Sequence, residues 1–182
     1  GLSYIKRDCG DLVKIKNKKT TVVRLQGDFF SRFNDTTRNE IRRTEKMPEF
    51  EFRVSDENKK DIYRLYGNFE KRGGRIVRPR GYFEKSIFCG AYWNGELCAA
   101  IICYDSFPYM RAHAIVSADS QGKPFEKWRS FALRRLVHEI CLFAQEKNYQ
   151  WFDLGGVNLF DEKKSGITAF KMGIGGEVVD DY

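Results

Sequence analysis

The sequence predicts a single α/β domain built on a mixed sheet, and three observations support this fold class. Three strand patterns follow one another between residues 87 and 117, as in an antiparallel meander. An amphipathic helix pattern over residues 125–147 then leads into a short apolar strand at 150–154. A crossover through that helix sets the flanking strands parallel. A short helix and a last strand at 177–182 follow.

The first elements are expected to form a β-hairpin. Residues 11–25 alternate apolar and polar side chains on either side of Asn17, as two strands joined by a turn would. We therefore expect residues 1–26 to form an N-terminal hairpin packed on a single domain that spans residues 1–182. The lysines of this segment either blunt an edge strand or attract phosphate, and both interpretations stay open.

The next expected element is a helix over residues 36–46. Thr37 and Glu40 have the spacing of a capping box, which starts the helix at Thr37. Arg38 and Arg42 are four residues apart and share one face of this helix. Two guanidinium groups near a helix N-terminus suit a diphosphate, and a plain solvated face accounts for them equally well.

A second helix, over residues 55–71 with Ser55 as its N-cap, leads into a basic loop. The loop runs from Lys71 to Phe83 and combines arginines with Gly, Pro and aromatic residues. It is either an ordinary surface loop or a segment that wraps a phosphorylated substrate.

The meander and the long helix have the clearest patterns. Strands are expected at 87–93, 96–104 and 109–117, with Asn94-Gly95 as a tight turn between the first two. The long helix is expected to bury one stripe, formed by Leu133, Val137, Ile140 and Ala144.

Composition narrows the class of protein. With 42% hydrophobic and 31% charged residues, the chain is expected to fold and not to be disordered. No apolar run approaches the roughly 18 residues of a membrane span, and we expect a cytoplasmic protein. The formal net charge of +7 favours an acidic partner such as phosphate, nucleotide, RNA or anionic lipid.

Cysteine and histidine usage argues against a metal site. The five cysteines are scattered and none lies in a Cys-x-x-Cys pair, which is typical of reduced core cysteines. Both histidines, His113 and His138, lie in apolar segments and are expected to be buried and satisfied. We expect no bound metal and no permanently bound cofactor.

The C-terminal region carries two glycine clusters around one lysine. A buried strand is expected to stop at Gly155-Gly156, and a short helix at 167–172 precedes a second cluster, Gly173 to Gly176. Lys171 is then a lone cation between two glycine-rich turns, or else a solvated lysine before a glycine C-cap. Asp153, at the strand end, either forms a turn or orients other groups and relays a proton.

These residues resemble the C-terminal signature of the Fem family, aminoacyl-tRNA-dependent peptidyltransferases of cell-wall synthesis built on GNAT-type acyltransferase domains. The family shows an aromatic-Asp-Leu-Gly-Gly pattern, matched by Phe152-Asp153-Leu154-Gly155-Gly156. It then shows Gly-Ile-x-x-Phe-Lys-x-Gly-Phe-Gly-Gly, matched by residues 166–176 except at Ile174, where an aromatic residue is usual.

Two further segments are similar to Fem-family blocks. Residues 37–46 resemble a Thr-Arg-x-x-Ile-Arg-x-Ala-x-Lys block, with Thr44 in place of the small apolar residue. The basic loop shows a similar arrangement of Arg-Gly, Arg and Tyr-Phe, which adds Arg78, Arg80 and Tyr82 to the candidate substrate-binding residues.

The resemblance implies a GNAT-like acyltransferase that moves an aminoacyl or acyl group onto an amine of a cell-envelope precursor, of peptidoglycan or amino-sugar type. Lys171 would then stabilise the carbonyl oxygen as it gains charge, with Asp153 as a weaker candidate and Phe170 stacked on a base or acceptor. Arg38, Arg42 and Arg80 would hold a phosphorylated or nucleotide-linked acceptor.

The donor is expected to be aminoacyl-tRNA or acyl-CoA. GNAT enzymes that use coenzyme A carry a glycine-rich pyrophosphate loop before the long helix, whereas residues 121–129 lack its second glycine and place Pro124 there. This favours aminoacyl-tRNA. An acetyl-CoA-dependent N-acetyltransferase and a non-catalytic phosphate- or RNA-binding module remain the alternatives.

Family members usually have two GNAT-like domains, and this chain has room for one. The chain is then a minimal member, a homodimer that rebuilds the cleft, or a fragment of a longer protein, and the acceptor is compatible with association with the inner membrane face.

Overall fold

The computed structural model describes residues 4–6, 12–14, 19–157 and 165–180 of the chain. Nine strands, four α-helices and three short 3-10 turns make up this part. The strands are β1 (Tyr4–Lys6), β2 (Leu12–Lys14), β3 (Lys19–Arg24), β4 (Phe50–Arg53), β5 (Ser86–Trp93), β6 (Glu96–Ser106), β7 (Tyr109–Ser117), β8 (Trp151–Val157) and β9 (Glu177–Asp180). The helices are α1 (Asp35–Thr44), α2 (Lys59–Arg72), α3 (Arg129–Glu146) and α4 (Ser165–Gly173).

Seven of the strands form one mixed sheet in the order β4-β5-β6-β7-β8-β3-β9. Every neighbouring pair is antiparallel except β7 and β8, which run parallel and are connected through α3. This arrangement confirms the predicted α/β class, the antiparallel meander and the parallel pairing across the long helix. The turn at Asn94-Gly95 has the two positive φ angles, 47° and 81°, of a tight hairpin turn.

The N-terminal hairpin differs from the prediction in its partners. β1 pairs with β2 in a separate two-stranded sheet. β3, which was expected to pair across Asn17, lies instead between β8 and β9. Four consecutive residues of β3, Thr20 to Val23, are buried, which is the pattern of a strand covered on both faces. Asn17 itself lies outside the described residues.

The first two helices start away from their predicted caps. Asn34 caps α1, since its side-chain oxygen accepts a hydrogen bond of 2.8 Å from the Thr37 backbone N–H. Thr37 is therefore inside the helix. α2 begins at Lys59, after a turn in which Ser55 has a φ of 59° and so cannot act as an N-cap. The strand β4 was not predicted.

The sheet separates two apolar cores. Successive residues of β6 alternate between them, so that Ile101 packs with α3 and Ile102 packs with α2. Three members of the predicted α3 stripe, Val137, Ile140 and Ala144, are buried in the first core. α3 starts at Arg129, after a 3-10 turn that takes up the first residues of the predicted helix.

The cysteines of the described residues are all free and buried, as predicted for core thiols; they are Cys89, Cys98, Cys103 and Cys141. Cys9 lies outside the described residues. His138 is buried among phenylalanine rings, as expected, but within the described residues its Nδ1 has no hydrogen-bond partner, so it is not fully satisfied; His113 is only half-buried. None of the helices in the described ranges has the length and apolar character that a bilayer crossing requires.

Candidate active site

The two parallel strands separate into a fork. β7 and β8 are paired only from Tyr109 to Arg111 and from Trp151 to Asp153. Beyond those residues the strands part around a cavity of about 950 Å³. The second half of β7, the Gly155-Gly156 end of β8, α2, the start of α3 and α4 line it. Backbone amides and carbonyls on the inner edges of the fork no longer pair with each other and need other partners.

A β-bulge lies at the point where the fork opens. On its other side β7 pairs with β6, with Ile102 opposite Ala114 and Cys103 opposite Ala112. His113 is therefore the extra residue of the bulge, and it lines the cavity.

The opposite arm of the fork depends on Gly155. β8 continues through this residue to Val157, so the expected stop at the glycine pair is wrong. Gly155 has a φ of +80°, which other residues adopt at a cost. A Cβ atom there would lie 3.4 Å from the Ala112 carbonyl oxygen and 3.7 Å from the Lys171 Nζ. Both distances are ordinary contacts, so the positive φ, and not a lack of space, is what favours glycine at this position.

Lys171 places its ammonium group at the fork. The residue is 7% exposed, and its Nζ donates to the Gly155 carbonyl at 3.0 Å and to the Gly156 carbonyl at 2.7 Å. The solvated interpretation is therefore wrong. Burial lowers the pKa of Lys171 to about 8, Asp153 acts against this shift and Arg111 adds to it. A cation held by two carbonyl groups beside a cavity can meet a developing negative charge.

Asp153 fixes the base of the fork. Its side chain is buried, and Oδ1 accepts hydrogen bonds from the Thr20 hydroxyl and from the Gly155 backbone N–H, the latter at 2.7 Å. Its Oδ2 lies 3.3 Å from Arg111 Nη1. The carboxylate thus joins β3, β7 and β8, and it holds the turn that points the Gly155 carbonyl at Lys171.

The second glycine cluster seats α4 on the N-terminal elements. A Cβ atom on Gly176 would lie 2.1 Å from Thr21 Cγ2, and one on Gly175 would lie 2.5 Å from the Arg32 carbonyl oxygen. Ile174, where the Fem pattern has an aromatic residue, is fully buried. These glycines permit close packing that sets the position of Lys171.

Comparison with known proteins gives matches among solved structures only, because no family model and no curated protein matches the chain. The match to the crystal structure of FemX covers 90% of this chain and 60% of the FemX chain, with a TM-score of 0.72 and 11% sequence identity. The match to a C-terminal domain assigned to a lysylphosphatidylglycerol synthetase of Agrobacterium fabrum covers 90% of this chain and 58% of that chain. Its TM-score is 0.63 at 15% sequence identity.

The match to a protein of Novosphingobium aromaticivorans assigned to the GNAT acetyltransferases covers 92% of this chain and 67% of that chain. Its TM-score is 0.50 at 8% sequence identity. The chain has a Fem-like fold of the GNAT type. It spans about 60% of the length of FemX. At sequence identities this low, the matches show a shared fold alone.

Within the Fem-like fold, three of the predicted binding residues lie at the cavity or beside it. Arg78 and Phe170 line it. Phe170 also lies under the guanidinium group of Arg134, 5.6 Å from ring centre to Cζ. Tyr82 packs on His113, with ring centroids 5.4 Å apart.

The other predicted binding residues do not line this cavity. Arg38 donates to the carbonyls of Ser31 at 2.6 Å and Phe33 at 2.8 Å, and it also bonds to Asp35. Arg42 lies 5.6 Å from the centre of the Phe30 ring. Arg80 lies on an exposed 3-10 turn, Arg80–Phe83. Their part in acceptor binding stays a prediction.

Several residues at the site were not foreseen as functional. His113 was expected to be buried, yet it faces the cavity against the rings of Tyr104 and Phe83, at 4.7 and 5.2 Å. Burial, and then the charge of Arg78, lower the pKa of His113. A single sequence gives no signal for a bulge. The other unforeseen residues are Thr20 and Arg111 at the base of the fork, and Arg129 and Ser130 at the start of α3.

Proposed function

We propose that this protein transfers an aminoacyl or acyl group onto an amine, with the reacting carbonyl placed in the fork. The observation that carries the proposal is the buried ammonium of Lys171, held by two backbone carbonyls where β7 and β8 part. Such a cation is preorganised to stabilise an oxyanion, since it does not reorient when charge develops.

The proposed reaction needs a proton acceptor as well as an oxyanion partner. The attacking amine arrives as an ammonium ion and passes one proton to the neutral imidazole of His113. Its nitrogen then forms a bond to the carbonyl carbon, and Lys171 Nζ stabilises the oxygen. The ester or thioester bond breaks, and the leaving oxygen or sulfur takes the proton from His113. The second proton lost by the nitrogen passes to solvent.

The donor we favour is aminoacyl-tRNA. Support comes from the fold shared with FemX and with a domain assigned to lysylphosphatidylglycerol synthetase, whose product by its name is an aminoacylated lipid. The proposed acceptor is an amine on a phosphorylated or nucleotide-linked cell-envelope precursor, of peptidoglycan or amino-sugar type. Arg78 at the cavity is the best-placed candidate for its phosphate.

A second candidate function is acetyl transfer from acetyl-CoA. The observation that favours it is the parallel fork itself, in a fold shared with a protein assigned to the GNAT acetyltransferases. A non-catalytic phosphate- or RNA-binding role is the third alternative, and it needs no buried lysine.

The first test compares thermal shifts produced by coenzyme A, acetyl-CoA, uncharged tRNA and a UDP-linked muropeptide, followed by transfer assays with charged tRNA and with acetyl-CoA. We expect shifts with tRNA and muropeptide and transfer that Lys171→Met abolishes. Lys147→Met, which removes an exposed lysine at the far end of α3, is the matched control. A shift and turnover with acetyl-CoA alone would assign the second function, and binding without turnover the third.

A further inference from the structure

The loop between α2 and β5 presents an aliphatic side chain to solvent in a basic setting. Ile76, near the middle of the loop, is 86% exposed. Five basic residues and no acidic one lie between Glu70 and Glu84. The five are Lys71, Arg72, Arg75, Arg78 and Arg80.

Hydrogen bonds hold this loop in place at both ends. Its start is the hydrogen-bonded C-terminal cap of α2, in which the Arg75 N–H donates to the Glu70 carbonyl at 2.9 Å and the Gly74 N–H to the Lys71 carbonyl at 3.0 Å. Its end is bound to two α2 tyrosines: the Tyr63 hydroxyl donates to the Arg78 carbonyl, and the Tyr66 hydroxyl accepts from the Arg78 N–H.

The neighbouring residue Val77 turns inward and packs on the α2 core. Because the backbone is anchored on both sides, the outward direction of Ile76 is a fixed property of the loop. Because this aliphatic side chain is held in water, the free energy of the system falls when an apolar phase covers it.

A second exposed isoleucine lies at the same cavity. Ile167, in the first turn of α4, is 60% exposed, and both it and Ile76 line the cavity from different elements. The two exposed isoleucines and the basic loop therefore border the same cavity, and we call this set of residues the mouth face.

We propose that the mouth face docks on an anionic lipid bilayer. Basic side chains are attracted to anionic headgroups, and an aliphatic tip inserts among the acyl chains. Nucleic acid would use the same charges, and the exposed ring of Tyr82 offers a surface for base stacking, but nucleic acid has no apolar phase for Ile76. The combination of arginines with a fixed isoleucine selects the bilayer.

Docking in this orientation turns the open fork towards the membrane. An acceptor carried in the bilayer would then reach Lys171 without leaving the surface. This consequence rests on the proposed function, whereas the docking itself does not.

The experiment is co-sedimentation of the whole chain with phosphatidylcholine vesicles that contain or lack phosphatidylglycerol. We expect partitioning at least about tenfold stronger on the anionic vesicles, and weaker with added salt. Ile76→Ser and Arg80→Glu should each lower it about fivefold or more.

Two control variants match these changes elsewhere on the surface. Phe107→Ser removes a 66% exposed apolar residue at the opposite end of β7, and Lys60→Glu reverses a charge at the opposite end of α2. Neither should lower the partitioning by as much. Lys171→Met should abolish transfer and leave vesicle binding intact, which separates failure of the docking proposal from failure of the proposed function.

Three results would overturn the docking proposal. The first is equal partitioning on neutral and anionic vesicles, and the second is no partitioning on either. The third is tRNA binding that Arg80→Glu weakens and Ile76→Ser leaves unchanged, with no vesicle binding, which would make the loop a nucleic-acid surface.

Discussion

Lys171 keeps its charge in a place where a charge is costly. Its pKa of about 8, compared with an ordinary 10.5, corresponds to roughly 3 kcal/mol of unfavourable burial when the group is protonated. The two carbonyls that accept its hydrogen bonds offset only part of that cost. A residue that destabilises the fold while facing a cavity is what functional sites commonly contain.

The first prediction concerns stability. Lys171→Met removes the buried charge, which is worth roughly 3 kcal/mol at pH 7, and also the donor to two backbone carbonyls, so the net rise in the free energy of unfolding should be smaller than that. Between pH 8 and the ordinary lysine range the wild-type group is neutral when folded and still protonated when unfolded, so wild-type stability rises with pH. Urea unfolding at pH 7 and pH 10 should show the difference between the two proteins shrinking. An equal difference at both pH values would contradict a lowered pKa.

The second prediction concerns the rate of transfer. kcat/KM should fall above about pH 8, since Lys171, with its pKa of about 8, then loses the charge that stabilises the oxyanion. Lys171→Arg should keep residual activity and lose this alkaline limb, because a guanidinium group does not titrate there. If the arginine variant kept the alkaline limb, the fall in kcat/KM would have to come from the titration of a group other than Lys171.

The third prediction concerns the acid side of the same profile. Burial and Arg78 lower the pKa of His113, so the imidazole is neutral at pH 7 and activity should decline only below its ordinary range. His113→Asn should lower kcat by about 100-fold and abolish the acid limb. A structural role for the ring would instead lower stability and leave the pH profile unchanged.

At the scale of single elements, prediction succeeded where the pattern is local. The turn at Asn94-Gly95 and the helix over most of 125–147 follow from side-chain type and spacing alone. The predicted start of α1 was wrong because Asn34, and not Thr37, caps the helix. The predicted start of α2 was wrong because Ser55 adopts a positive φ.

Elements set by distant contacts could not be predicted. β3 alternates like a hairpin arm, yet its place in the sheet depends on β8 and β9, more than a hundred residues away. The bulge at His113 depends on register with β6. Lys171 and Phe170 were identified because they lie in a segment that resembles a family motif. Arg111 lies in no such segment and was missed.

The fourth prediction tests the fork as an element. Gly155→Ala should cost about 1–2 kcal/mol of stability because alanine strains the positive φ, and it should lower transfer because that strain shifts the Gly155 carbonyl that Lys171 binds. Gly156→Ala is the matched control, since the nearest atom to its Cβ is the Lys19 carbonyl oxygen at an ordinary 3.7 Å. Chemical denaturation and the transfer assay measure both effects. Equal costs for the two variants would contradict this account of the fork.

At the scale of the whole molecule, one sheet joins the two cores, and the described thiols all lie in the core that packs against α3. Burial raises the pKa of Cys98 to about 12 and that of Cys141 further. Neither thiol reacts readily while the core is closed.

The fifth prediction follows from that burial. Cys98 of the meander and Cys141 of α3 should be labelled by an aromatic disulfide with the same protection free energy, equal to that of global unfolding. Peptide mass spectrometry after labelling over a urea series measures both sites. Earlier labelling of Cys141 would show that α3 opens independently of the sheet.

The position of β3 also affects the order in which the chain can be assembled during synthesis. The Thr20 hydroxyl bonds to Asp153, 133 residues later. At ordinary elongation rates of 5–20 residues per second, the ribosome takes on the order of ten seconds to make that interval. During that time an apolar strand has neither of its neighbours. The sheet can therefore close around β3 only once translation has passed β8, and Lys171 takes its position at the fork later still.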